Sequence, residues 1–153
     1  MKVIYFYHMP KCGGEYIKNH IINLSNTLNG KYINFNDLST DKPIDKLNYR
    51  YFSTLKRIPQ LDDELIFIHH HHGYPGILDA FNRINELKAR LFSLDHEFFL
   101  FTSLRNPISQ VKSKLNYLIN TEQVSGLSIN KLLRDETYQN GMYKYLLYNH
   151  PSR

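Results

Sequence analysis

The chain has 153 residues, of which 42% are hydrophobic and 14% aromatic, with one cysteine and a formal net charge of +5. A lone Cys12 excludes an internal disulfide, and no apolar stretch reaches the roughly 18 residues that a membrane-spanning helix needs. The charges are scattered, which argues against a nucleic-acid surface and leaves one mildly basic domain suited to an acidic nucleotide or a polyanionic glycan.

The first predicted element is a buried strand built on Val3, Ile4, Tyr5 and Phe6, a β-branched and aromatic run. Pro10 stops it, and Gly13 and Gly14 let the backbone turn sharply and approach a ligand. A helix follows from about Glu15 to Leu28, with Ile17, Ile21, Ile22, Leu24 and Leu28 as its apolar stripe and Asn29-Gly30 as its stop. Its N-terminal N–H groups point back at the loop, where Lys11 adds a full positive charge. Strand, glycine turn with lysine, then helix is an arrangement that holds a phosphate; the plainer alternative is a surface turn with an incidental lysine. The usual nucleotide loop places Gly-Lys-Ser/Thr at its end. Here the lysine precedes the glycines and no hydroxyl residue follows to hold magnesium. Cys12 reads as a loop residue offering its backbone N–H, because Lys18 stands where a phosphatase-type loop needs arginine.

A short strand from Lys31 to Phe35, a turn-rich loop from Asp37 to Pro43 and a helix from Ile44 to Lys56 come next. Leu65 to Ile68 then form an apolar strand that runs into His69, His70, His71 and His72. Side chains alternate along a strand, so His70 and His72 share one face and His69 and His71 the other. Imidazole titrates near neutrality and suits a general base. Adjacent histidines on a strand point apart and no Cys, Asp or Glu stands at ligand spacing, so no metal is expected. A solvated loop without a role is the other reading of this run.

A helix is predicted from Ile77 to Leu91 on Ile77, Leu78, Phe81, Ile84, Leu87 and Leu91. Phe98 to about Leu104 forms a further strand, with Arg105 at its exit. Asn106 is a fitting N-cap and Pro107 a fitting first helical residue. Ile108, Val111, Leu115 and Leu118 lie on one face of the helix that follows. Ser113 falls about two turns into it. Asn120 to Gly126 reads as a polar loop, and Ser128 to about Tyr148 as helical.

Two of these segments resemble a known family. His8-Met9-Pro10-Lys11-Cys12-Gly13-Gly14 is similar to the 5′-phosphosulfate loop of sulfotransferases that use 3′-phosphoadenosine 5′-phosphosulfate (PAPS), in their carbohydrate branch. Cys12 stands where that branch has Thr, and Glu15-Tyr16 where it has Thr-Ser. Arg105 followed by Ser113 resembles the family's 3′-phosphate motif. The resemblance implies a three-layer, P-loop-like α/β fold with a central parallel sheet flanked by helices. It implies PAPS as donor, with 3′,5′-adenosine bisphosphate (PAP) as product, and a carbohydrate or other hydroxyl acceptor. It gives the donor contacts to Lys11, Cys12, Gly13, Gly14, Glu15, Tyr16, Arg105 and Ser113. Lys11 also serves catalysis, and His72 or His70 is the base, with His72 preferred as nearest the loop. The chain is shorter than the family domain, so the expectation is a single domain over residues 1–153 lacking the usual C-terminal part. The alternatives are a nucleotide-dependent phosphotransferase, which needs magnesium, and a non-catalytic nucleotide or glycan binder. The opening strand does not read as a signal peptide, and the expected location is the bacterial cytoplasm.

Overall fold

The computed structural model describes residues 1–9, 11–35, 44–71 and 77–121, with side chains described for these except 44–50 and 77–80. Four strands and four α-helices alternate along it. They are β1 (Lys2–His8), α1 (Gly14–Thr27), β2 (Lys31–Asn34), α2 (Ile44–Arg57), β3 (Leu65–His71), α3 (Ile77–Ser93), β4 (Glu97–Thr102) and α4 (Pro107–Asn120). The strands form one all-parallel sheet in the order β2-β3-β1-β4.

This order dictates where the helices go. The crossover from β1 to β2 runs in one direction, and those from β2 to β3 and β3 to β4 run in the other. Right-handed crossovers therefore put α1 on one face and α2 and α3 on the opposite face. Packing agrees. Ile21 of α1 is buried with Phe6 and Phe67, and Ile17 packs against them. Tyr51 and Leu55 of α2 and Ile84, Leu87 and Leu91 of α3 are buried with Val3, Tyr5, Tyr7, Ile66 and Ile68. The central strands are covered on both faces, which is why β1 and β3 read as near-continuous apolar runs.

Local chemistry sets the element ends. Asn29 takes the left-handed conformation and Gly30 N–H donates to the Ser25 carbonyl at 2.8 Å, closing α1. The Asn106 side chain accepts from Ile108 N–H at 3.0 Å and Ser109 N–H at 3.3 Å, capping α4 as expected.

Some expectations need correcting. β4 ends at Thr102 rather than near Leu104, and α4 runs through Asn120, the first residue of the expected polar loop. Leu24, Leu28, Phe81 and Ile108 are exposed rather than part of a buried stripe. Helical periodicity gives the direction of an apolar stripe and not how much of it is covered. His72, the Asp37–Pro43 loop and the predicted helix from Ser128 lie outside the described residues.

Among the described residues, no helix is long and apolar enough to cross a membrane.

Candidate functional site

Parallel pairing in register brings the carboxyl ends of the strands to one edge. His8 of β1 pairs with His71 of β3, Tyr7 pairs with Thr102 of β4, and Asn34 of β2 pairs with His69 of β3. Ligands bind outside this edge in open α/β sheets, where neighbouring crossovers diverge. β1 and β3 are such neighbours here, since their connections leave on opposite faces.

The β1–α1 loop turns through two left-handed residues, Lys11 (φ 60°) and Gly13 (φ 81°). For lysine this conformation is strained, and such strain concentrates at functional turns. Gly13 supplies the turn at the head of α1 and offers no side-chain cap, and Tyr16 N–H bonds back to its carbonyl at 3.1 Å. Packing also requires a glycine at position 14. A Cβ there would lie 1.8 Å from Cδ2 and 2.1 Å from Nε2 of His8, so its missing side chain makes room for that ring. Glu15, exposed in the first turn, is ion-paired with Lys18, whose hydrogen bond holds the carboxyl below its ordinary range. Tyr16 points into solvent, edge-on to His20.

The two sequence motifs come together. Arg105 Nη1 donates to the Lys11 carbonyl oxygen at 3.4 Å. Lys11 Nζ lies 4.1 Å from the centre of the Tyr117 ring, and Lys114 Nζ lies 5.8 Å from the same ring. Partial burial, followed by repulsion from Lys114, lowers the Lys11 pKa. Two ammonium groups and a guanidinium thus gather at the Lys11 end of the loop, an arrangement that an anion would relieve. Lys114 and Tyr117 were missed from sequence. Their signal was slight, a Lys and a Tyr three apart on the face of α4 beside Ser113. Ser113 itself is half-buried on α4.

Cys12 is buried, and Gln110 Nε2 on α4 lies 3.7 Å from its sulfur. Burial pushes the thiol pKa up, with Arg105 opposing in part. A raised pKa disfavours the thiolate, the reactive form. Cys12 is therefore expected to react with a disulfide reagent at pH 7.5 at least about tenfold more slowly in the folded chain than in urea. Equal rates in the two states would make it an accessible thiol.

The histidines alternate as predicted. His70 is fully buried on the α2/α3 face, with its Nδ1 2.6 Å from the Tyr5 hydroxyl, which lies 2.8 Å from the Tyr51 hydroxyl. His69 faces α1. Its Nδ1 is 3.1 Å from Asn34 Oδ1 and its Nε2 is 2.9 Å from His8 Nδ1. The His71 ring lies 3.9 Å from the His8 ring. His8, Glu15 and His71 each bring one ligand atom within 4.8 Å of the others. Ligand spacing along the chain does not find Glu15, which is far from the His69–His71 run in sequence and adjacent to His71 in the fold.

Comparison with protein-family models finds no match, and comparison with curated proteins finds none either.

Proposed function

We propose that the chain is a sulfotransferase of P-loop-like fold that moves a sulfuryl group from PAPS to a hydroxyl, with a carbohydrate as the acceptor class. The observation that carries this is the approach of Arg105 to Lys11, two residues from separate motifs, within one basic cluster at the carboxyl edge of the sheet. The family resemblance of both motifs supports the choice of donor. The loop after a central parallel strand, followed by the open N-terminus of α1, supports phosphate binding.

In this mechanism the Lys11–Tyr16 loop holds the 5′-phosphosulfate, and Lys11 leaves the Tyr117 ring to offset charge on the departing phosphate oxygen. Arg105 and Ser113 grip the 3′-phosphate and so position the donor. The acceptor oxygen forms its bond to sulfur as the bond from sulfur to the 5′-phosphate oxygen breaks. With His70 engaged by Tyr5 in the core, the base role falls to His72, which takes the acceptor proton. PAP leaves. The burial of His70 also favours a second reading, a non-catalytic binder of the same nucleotide, which predicts binding without turnover.

Calorimetry with PAP in metal-free buffer tests the donor site. The wild type is expected to bind, and Lys11→Ala and Arg105→Ala each to weaken binding by about ten- to a hundredfold, the worth of a charge-assisted hydrogen bond. Absence of binding by folded wild type, or indifference to both substitutions, would sink the proposal.

A further inference from the structure

We infer that His8, Glu15 and His71 form an open site for one divalent transition metal, of the zinc type. The three side chains come from β1, the first turn of α1 and β3, and their ligand atoms gather within 4.8 Å. Strand register places the two histidines side by side, since His8 is paired with His71. This site shares Glu15 with the loop assigned to the donor but uses neither Lys11 nor Arg105, so metal binding and PAP binding are read with different variants.

Hydrogen bonding prepares the first ligand. Asn34 Oδ1 can only accept, so His69 Nδ1 donates to it. Neutral His69 then accepts at Nε2, which makes His8 Nδ1 the donor in that 2.9 Å contact. The lone pair of a neutral His8 is thereby assigned to Nε2. That atom lies against Gly14, the residue before Glu15. A relay that fixes tautomer and ring orientation is the usual support of a metal-bound histidine. Here it runs through two buried rings stacked with Phe6.

The donor set selects the metal class. Two imidazoles and a carboxylate suit zinc, cobalt or nickel rather than magnesium or calcium, which prefer oxygen cages. Ligand atoms around one zinc sit roughly 3–3.5 Å apart, given bonds of about 2.0–2.2 Å. Glu15 is exposed and on a flexible stem, so releasing Lys18 brings its carboxylate the remaining distance. Three protein ligands leave a coordination position for water or another oxygen ligand.

The test uses the full chain stripped with chelator and titrated with cobalt(II), read by visible absorption, with zinc competition for affinity. Wild type is expected to bind one equivalent with the strong visible bands of four- or five-coordinate cobalt. Glu15→Gln, an exposed change that leaves the fold intact by circular dichroism, should weaken binding by at least about tenfold and His71→Gln by more. Asn34→Ala, acting through the relay, should weaken it by about tenfold. His20→Gln, on the exposed side of α1, should change nothing. Binding by Glu15→Gln equal to wild type would assign the metal to the histidine run alone and overturn the site. So would failure of the folded wild type to bind.

Discussion

Gly14→Ala is expected to destabilise the fold by about 3 kcal/mol, the upper part of the range for overpacking a tight interior. Alanine is intrinsically better than glycine in a helix by about 1 kcal/mol, so propensity alone predicts a gain. Sterics reverse the sign. The added Cβ would fall 1.8 Å from the His8 ring. That ring has no easy retreat. It is stacked on Phe6 at 5.6 Å, lies 3.9 Å from His71 and is hydrogen-bonded to His69. Either α1 moves away from the sheet or His8 leaves its relay, and both break contacts in the core. Urea unfolding measures the loss. The double variant His8→Ala with Gly14→Ala should recover part of it, with a coupling of about 1–3 kcal/mol. A single variant as stable as wild type would mean that the ring does not sit over Gly14.

The second large effect lies on the other face. Tyr51→Ala should cost about 4 kcal/mol, as expected for emptying a fully buried aromatic site. Tyr51→Phe should cost only about 1 kcal/mol, because the Tyr5 hydroxyl keeps His70 as a partner. The same pair makes stability fall in alkali. Burial is the leading cause that raises the pKa of both Tyr5 and Tyr51 above the ordinary tyrosine value. The neutral form is thus favoured by folding, while the unfolded chain ionises near pH 10. The stabilising contribution is complete below that pH and is lost as pH rises from it toward the raised folded values. The slope approaches about 1.4 kcal/mol per pH unit for each tyrosine. Tyr51→Phe should reduce the slope by one tyrosine's share in denaturant titrations between pH 9 and 11. A wild-type curve flat over that range would mean that neither hydroxyl is held buried and neutral.

Much of the fold was legible because its cues are local. The run from Val3 to Phe6 marks β1, Asn106-Pro107 marks the start of α4, and Asn29-Gly30 marks the end of α1. Each depends on neighbours within a few residues. Helix stripes were read too generously at Leu24, Leu28 and Phe81, since periodicity gives a direction and not the width of the partner. Lys11 and Arg105 were legible as motif residues. Their meeting, and the presence of Lys114 and Tyr117 beside them, required the β1–β4 pairing that brings α4 to the loop.

The amino-acid order by itself determined an alternating α/β chain, its glycine turn, its helix caps and the alternation of His69, His70 and His71 between faces. These follow from backbone sterics and from the two-residue period of a strand. Only the tertiary structure decided what each face meets. Parallel pairing of β1 with β3 buried His70 beside Tyr5 and Tyr51, and turned His71 toward His8 and Glu15. Strand register and helix side are set by non-local packing and crossover handedness, so contacts between residues far apart in the chain are invisible until those choices are made.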